Sequence, residues 1–318
     1  MGTVALLGGQ YTINNNSGTP TNWTELVAPK LGLPAPCAAM TGLDGQVTAD
    51  FDFAEMPPIP HAGCTGYAQG GARVTDPVGP GNKVLGGANA VLGQLTVPVV
   101  TQIANHLATT VSGTFSGTEV VFVMAGANDA FIQAALVAGG KLPKDAISDM
   151  MLAANELAIL VKTQLIDNGA KYVVVINVPD ISSTPQVTSI ANPTARAQTK
   201  SLFDALVSAY NSQLNTKLNI DLPNSPNVLV IDAFTLTKDQ VANPAKYGFT
   251  NVTSTACNLD PSFNTLGSSL VCNAGNLNAG TTSNYLFADT VHPTPYGYSL
   301  FAEHVLQQMA GKGWYDGF

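Results

Sequence analysis

The chain has 318 residues, of which 45% are hydrophobic and 11% are charged, and its formal net charge is −8. This composition excludes an intrinsically disordered protein, which would be charged and poor in apolar residues. The 13 basic residues are scattered along the chain, which argues against a nucleic-acid-binding surface. No apolar stretch is long enough for a membrane span, and the longest, Val120 to Ala127, has the length of a buried strand.

In chain order, the predicted elements alternate between amphipathic helices and short apolar strands. Helices are predicted at residues 22–32, 98–109, 144–168, 194–219 and 296–309, and strands at residues 119–125, 172–177 and 228–232. The segment between the first two helices and the 50 or so residues after the last strand are predicted to be loops. Because each strand is apolar throughout, we expect one α/β domain over residues 1–318, with a parallel sheet covered by helices on both faces.

The four cysteines fall into two pairs that are close in sequence, Cys37 with Cys64 and Cys257 with Cys272. Turn-forming residues surround each pair, so two disulfides that staple loops are predicted, and these indicate an oxidising compartment. The alternative is four buried thiols in a cytosolic protein. The chain shows no signal peptide, so a secreted or periplasmic location predicts a further segment upstream.

A candidate general base lies near the carboxyl end of the chain, in the sequence Asp-Thr-Val-His-Pro-Thr-Pro. Thr294 is a plausible helix cap and Pro295 suits the first helical position, so His292 is expected on a short loop before a helix. Asp289, three residues earlier, can bind the imidazole Nδ1–H and fix the tautomer. A surface histidine beside a helix cap is the alternative interpretation.

Two further segments offer hydrogen-bond donors for a developing oxyanion. Asn128 follows the predicted strand at 119–125, and its side-chain amide can donate. Gly71, or alternatively Gly70, lies in a Tyr-Ala-Gln-Gly-Gly-Ala stretch and can offer a backbone N–H. Each segment alone is equally consistent with an ordinary turn.

Taken together and in this order, these segments resemble the motif blocks of the SGNH/GDSL hydrolases. The match comprises Y-A-Q-G-G-A for the Gly block, G-A-N-D (126–129) for the third block and A-D-T-V-H-P-T (288–294) for the fourth. Asn-Val-Pro-Asp at 177–180 also resembles a stretch found in lipolytic members. The resemblance covers roughly residues 20–310 and implies a three-layer, flavodoxin-like α/β/α fold.

The resemblance also implies the roles of the matching residues. His292 is the general base, Asp289 orients it, and Asn128 and Gly71 line the oxyanion hole. The implied chemistry is acyl transfer through an acyl-enzyme, with no cofactor and no metal. The expected substrate is a small-molecule or lipid ester, and the protein is expected to be a monomer with no nucleic-acid partner and no transmembrane segment.

The chain departs from the family pattern at its first block, which should be an apolar strand ending in Gly-Asp-Ser. Ser17 is the one serine before Gly71, and it has neither an adjacent aspartate nor a preceding apolar strand. We therefore expect that the first strand and the nucleophile are missing through truncation, and that the chain as printed is inactive. The alternative is a relic of the fold that binds esters or glycans without cleaving them.

A metal-dependent hydrolase is an alternative of a different class, in which His292, Asp289 and His304 would share an ion. His304 falls within the last predicted helix, away from the His292 loop, and the sequence has no H-x-H or H-E-x-x-H spacing. The spacing of the candidate ligands therefore does not favour this alternative.

Overall fold

The computed structural model describes residues 22–34, 36–45, 57–110, 113–264 and 266–317. The helices of these ranges are α1 (Trp23–Lys30), α2 (Ala88–Leu92), α3 (Val99–Thr109), α4 (Ala127–Ala138), α5 (Pro143–Leu160), α6 (Pro185–Thr188), α7 (Pro193–Asp221), α8 (Ala233–Ala242) and α9 (Pro295–Gly311). The strands are β1 (Met40–Thr41), β2 (Ile59–Pro60), β3 (Val120–Met124), β4 (Tyr172–Ile176), β5 (Val228–Ile231), β6 (Asn251–Thr255) and β7 (Tyr285–Phe287).

Three parallel strands form the central sheet, in the order β3-β4-β5. Val120 pairs with Tyr172 at the start of β3, and Ile176 pairs with Ile231 at the end of β4. β4 is therefore flanked on both sides, and four of its five residues are buried. Each crossover between these strands contains helices, as parallel pairing requires.

The two faces of β4 pack against different helices. Val173 and Val175 lie in a core with α3, α4, α5 and α7. Val174 and Ile176 lie in a second core with Trp23 of α1 and with α9. Because successive side chains of a strand point to opposite faces, the apolar run of β4 separates two helical layers. The predicted α/β/α arrangement is confirmed.

The prediction missed several elements near the ends of the strands. Helix α4 begins three residues after β3, and α8 begins two residues after β5. The segment after β5 was expected to be a loop of about 50 residues, but it also contains the parallel pair β6–β7. Both helices start so soon after a strand that the apolar run of the strand conceals their helical period.

The structure pairs Cys37 with Cys64 and Cys257 with Cys272, as the sequence predicts. The second disulfide is the more deeply placed, because Cys257 and Cys272 are fully buried beside Ala288. Two disulfides are typical of proteins from oxidising compartments. No helix in the part of the chain that the structure describes has both the length and the apolar character needed to cross a bilayer.

Candidate active site

The loop that carries His292 is held at both ends. The side chain of Thr294 caps α9 by accepting from the N–H of Gly297 at 3.1 Å, and Pro295 takes the first helical position, as predicted. On the other side, the N–H of Ala288 donates to the carbonyl of His292 at 2.8 Å. Residues 289–292 therefore form a tight loop between β7 and α9.

The carboxylate of Asp289 is the centre of this loop. Oδ1 accepts from the N–H groups of Val291 at 2.9 Å and His292 at 2.8 Å. Oδ2 accepts from the N–H of Ser269 at 2.8 Å and lies 2.8 Å from Nδ1 of His292. Asp289 is 3% exposed, so these donors replace the water that an ionised carboxylate would otherwise bind.

The ionised forms of Asp289 and His292 stabilise each other. Burial alone would raise the pKa of Asp289, but His292 and the N–H donors outweigh it and hold this pKa below its ordinary value. Burial alone would lower the pKa of His292, but the Asp289 carboxylate raises it above 6.5, the ordinary value. Because Nδ1 faces the carboxylate and the side chain is 36% exposed, Nε2 is the nitrogen left to exchange protons.

Asn128 lies in the first turn of α4, and not in the ordinary turn that was the alternative interpretation of its sequence. Gly126 starts this helix with a φ of 106°, and a Cβ at Gly126 would lie 2.4 Å from the ring of Tyr210. The Asn128 amide donates through Nδ2 to the carbonyl of Ala72 at 2.8 Å. This bond fixes the amide and leaves its second hydrogen for another acceptor.

Gly71 is the residue before Ala72, whose carbonyl accepts from the Asn128 amide. Its φ is 81°, and a Cβ there would lie 2.1 Å from the carbonyl oxygen of Pro80. A side chain at Gly71 would therefore both strain the backbone and clash with it. A Cβ at Gly70 would contact only Oε1 of Gln94, at 3.5 Å. The geometry thus restricts Gly71 more than Gly70.

A salt bridge that the sequence analysis missed joins these two segments. Nε of Arg73 lies 3.0 Å from Oδ1 of Asp129, and the N–H of Val74 donates to Oδ2 at 3.2 Å. Burial raises the pKa of Asp129 above its ordinary value, although Arg73 and Val74 act in the opposite direction. Arg73 is one of only two arginines in the sequence, which was the available signal.

Backbone contacts tie the loop that carries His292 to the sheet. The N–H of Gln186, in α6 after β4, donates to the carbonyl of Thr290 at 2.9 Å. Asn128 follows β3, the neighbour of β4. The carboxyl ends of adjacent parallel strands lie at one edge of a sheet, where sites of such folds are found. The His292 loop is thus bonded to the segment that follows β4, and Asn128 lies after the neighbouring strand β3.

Comparison with known proteins identifies the family of this chain. The profile of the GDSL-like lipase/acylhydrolase family matches residues 44–305, which include Gly71, Asn128, Asp289 and His292. The chain belongs to this family.

Two relatives from Arabidopsis thaliana match this chain over part of their sequences. It is 29% identical to a GDSL esterase/lipase over 163 residues, which are 48% of this chain and 37% of the relative. It is 26% identical to the anther-specific proline-rich protein APG over 197 residues, which are 59% of this chain and 34% of that protein. The matches thus span about a third of each relative's length.

The Asn-Val-Pro-Asp stretch makes hydrogen bonds at the carboxyl ends of the strands. Asn177 donates to Asp232 at 2.9 Å and accepts from the N–H of Phe234 at 3.1 Å, so it links the ends of β4 and β5. Asp180 is 1% exposed and accepts from the N–H and hydroxyl of Ser182. Asp232 caps α8 by accepting from the N–H of Thr235.

The remaining candidates are Ser17 and the three possible metal ligands. Ser17 lies outside the described residues. His304 lies in α9, where burial lowers its pKa and the nearby charge is that of Asp232. Within the described ranges, no three His, Cys, Asp or Glu side chains are grouped so that they could hold a metal ion. The metal-binding trio of His292, Asp289 and His304 is therefore not brought together.

Proposed function

We propose that this protein is built for the hydrolysis of carboxylic esters through an acyl-enzyme, with His292 as the general base and Asp289 as its orienting group. The observation that carries the proposal is the buried carboxylate bound to Nδ1 of His292 at 2.8 Å. A base held in one tautomer, with Nε2 available, is what proton transfer from an attacking hydroxyl requires.

The proposed chemistry assigns one task to each group. Nε2 of His292 takes the proton of the attacking hydroxyl and returns it to the leaving alcohol, while the charge of Asp289 stabilises the imidazolium. The second Nδ2 hydrogen of Asn128 and the N–H of Gly71 donate to the oxyanion of the tetrahedral intermediate. Water then attacks the acyl-enzyme with His292 again as the base. Gly70 is the alternative backbone donor.

The same proposal covers the substrate and the location. The names of the family and of the Arabidopsis relative point to small-molecule or lipid esters. Two disulfides favour a secreted protein. We propose that the protein acts as a monomer without a cofactor.

We also propose that the printed chain does not form an acyl-enzyme by itself. It contains no Gly-Asp-Ser sequence, and Ser17 is the one serine before Gly71. Among the described residues, no hydroxyl is hydrogen-bonded to Nε2 of His292. A serine is activated only when its base is held within hydrogen-bond reach, so no described residue is placed as the nucleophile of this base.

The test is a reaction of the purified 318-residue chain with a fluorophosphonate probe, followed by digestion and mass spectrometry. We expect no stoichiometric label on any serine, while an active serine hydrolase in a parallel reaction is labelled. A His292→Ala variant separates base-dependent labelling from non-specific reaction. Stoichiometric labelling of the parent chain that His292→Ala abolishes would show that the protein has found a nucleophile elsewhere.

The alternative function, a binding protein that holds esters or glycans without cleaving them, makes a different prediction. Such a protein would bind an intact ester or oligosaccharide with a measurable Kd by calorimetry and release it unchanged. Neither binding nor labelling is expected if the site requires a serine that the printed chain lacks.

A further inference from the structure

The loop closed by the second disulfide contacts the carboxylate that orients His292. Ser269 starts a short 3-10 turn, Ser269–Val271, which ends directly before Cys272. The N–H of Ser269 donates to Oδ2 of Asp289 at 2.8 Å, across 20 residues of sequence. Ser269 is fully buried, and it binds Oδ2, whereas the backbone donors of Val291 and His292 bind Oδ1.

The other half of the disulfide is anchored next to Asp289 as well. The N–H of Cys257 donates to the carbonyl of Ala288 at 2.9 Å, and the N–H of Ala256 donates to the carbonyl of Phe287 at 2.8 Å. The S–S bond therefore connects the segment directly after β6, which lies beside Ala288, to the turn that binds Asp289. Both cysteines pack directly against Ala288.

Apart from the disulfide, polar side chains hold the turn. Asn264 donates to the carbonyl of Ser268 at 2.9 Å, and Asn276 donates to the carbonyl of Val271 at 2.9 Å. Each such bond contributes only about 1 kcal/mol net, and the described part of the loop has no strand or long helix. The disulfide is the covalent restraint on this turn, which begins at Ser269 and ends directly before Cys272.

We propose that the Cys257–Cys272 disulfide is a positioning element for the Asp289–His292 pair, acting through the backbone N–H of Ser269. The disulfide keeps the turn closed over Asp289, excludes water from it and holds Oδ2 towards Nδ1 of His292. For its effect on turnover this inference rests on the proposed function, but the geometry of the pair can be measured without any turnover.

Two effects on His292 distinguish positioning from simple charge neutralisation. Among the described residues, the titratable groups that interact with the charge of Asp289 are His292 and the buried Tyr298, whose pKa is raised first by burial and then by that charge. If the Ser269 N–H only neutralised the carboxylate, its loss would strengthen the pull of Asp289 and raise the pKa of His292 further. If the turn positions and covers Asp289, its loss admits water, screens the pair and lowers the pKa of His292.

The experiment is a titration of the His292 ring by NMR in the oxidised protein and in two double variants. In Cys257→Ala/Cys272→Ala we expect the pKa of His292 to fall and the low-field Nδ1 proton resonance to weaken. In the control Cys37→Ala/Cys64→Ala, which removes the other disulfide, we expect neither change. An unchanged or raised pKa in the first variant, with its fold intact by circular dichroism, overturns the proposal.

A second pair of variants tests the same contact if the disulfide variant does not fold. Ser269→Pro removes the N–H at the first position of the turn, which suits proline because the preceding Ser268 is extended. Ser269→Ala keeps the N–H and removes only the hydroxyl. We expect the pKa of His292 to fall in the proline variant and not in the alanine variant. Equal effects in both would assign the change to packing and overturn the proposal, whatever the fluorophosphonate experiment shows.

Discussion

The two halves of the candidate site are held by different forces. The base half contains Asp289 and His292, and a covalent disulfide and backbone donors fix it. The donor half contains Gly71 and Asn128, and a buried ion pair between Arg73 and Asp129 joins its two segments. The described residues of the donor half include no covalent link. We therefore expect loss of a single charge to disturb the base half less than the donor half, whose segments are joined by the Arg73–Asp129 pair and by the Asn128–Ala72 hydrogen bond.

The sharpest test of the base half is the loss of the base itself. In a form of the protein that carries a Gly-Asp-Ser serine ahead of the Gly block, we expect His292→Ala to lower kcat by several orders of magnitude, because the hydroxyl then has no proton acceptor. Asp289→Asn should lower it less, since the base remains. Hydrolysis of a p-nitrophenyl ester measures both. Near-normal turnover of His292→Ala would show that another group is the base.

Loss of a donor is expected to have a smaller effect on kcat than loss of the base. In the same serine-bearing form, Asn128→Ala is expected to lower kcat by about 10²–10³-fold with little change in KM, because the oxyanion develops mainly in the transition state. Full progress curves for the same ester separate the two constants. An effect confined to KM would mean that Asn128 binds the substrate, and its assignment to the oxyanion hole would be wrong.

The ion pair of the donor half predicts a loss of stability. Asp129→Ala leaves the guanidinium of Arg73, which is 13% exposed, without its buried partner. We expect the free energy of unfolding to fall by about 3 kcal/mol, at the low end for a broken buried pair, because Arg73 keeps a contact with Asp76 at 2.7 Å. Urea unfolding of the printed chain measures this.

The matched control for that experiment is an exposed pair. The side chains of Lys162 and Asp167 are 38% and 48% exposed, and their charged atoms lie 2.8 Å apart. Asp167→Ala should cost less than about 1 kcal/mol. Equal losses in Asp129→Ala and Asp167→Ala would show that the donor half does not depend on the Arg73–Asp129 pair.

The sequence predicted the base half more completely than the donor half, for a physical reason. Asp289 and His292 are three residues apart, so a local motif contains their whole interaction apart from the Ser269 donor. Arg73 and Asp129 are 56 residues apart and meet only after the chain folds. The same limit explains why the three strands were predicted from their apolar runs, whereas the partner of Asp289 at Ser269 was not. Contacts between distant backbone groups leave no pattern of residue types to read.

The smallest predicted effect is a difference in pKa between His292 and two histidines outside the base half, His106 and His304. Burial lowers the pKa of His106, which stacks on Phe115 with ring centroids 5.1 Å apart, and burial also lowers that of His304. Asp289 raises the pKa of His292 above 6.5. In an NMR titration of the printed chain, we therefore expect His292 to lose its proton above pH 6.5 and the other two below it.

The sign of the stability change follows from the same order. The contribution of protonated His292 is fully present below pH 6.5 and is lost as the pH rises through its raised folded pKa. His106 and His304 act oppositely, because protonation below pH 6.5 favours the unfolded chain. The His292→Ala variant should therefore lose more stability at pH 6 than at pH 9, when each is compared with the parent by urea unfolding. A pKa of His292 below those of His106 and His304 would show that the Asp289 carboxylate does not stabilise the protonated imidazole. The proposed function requires that stabilisation, because His292 carries a proton during acyl transfer.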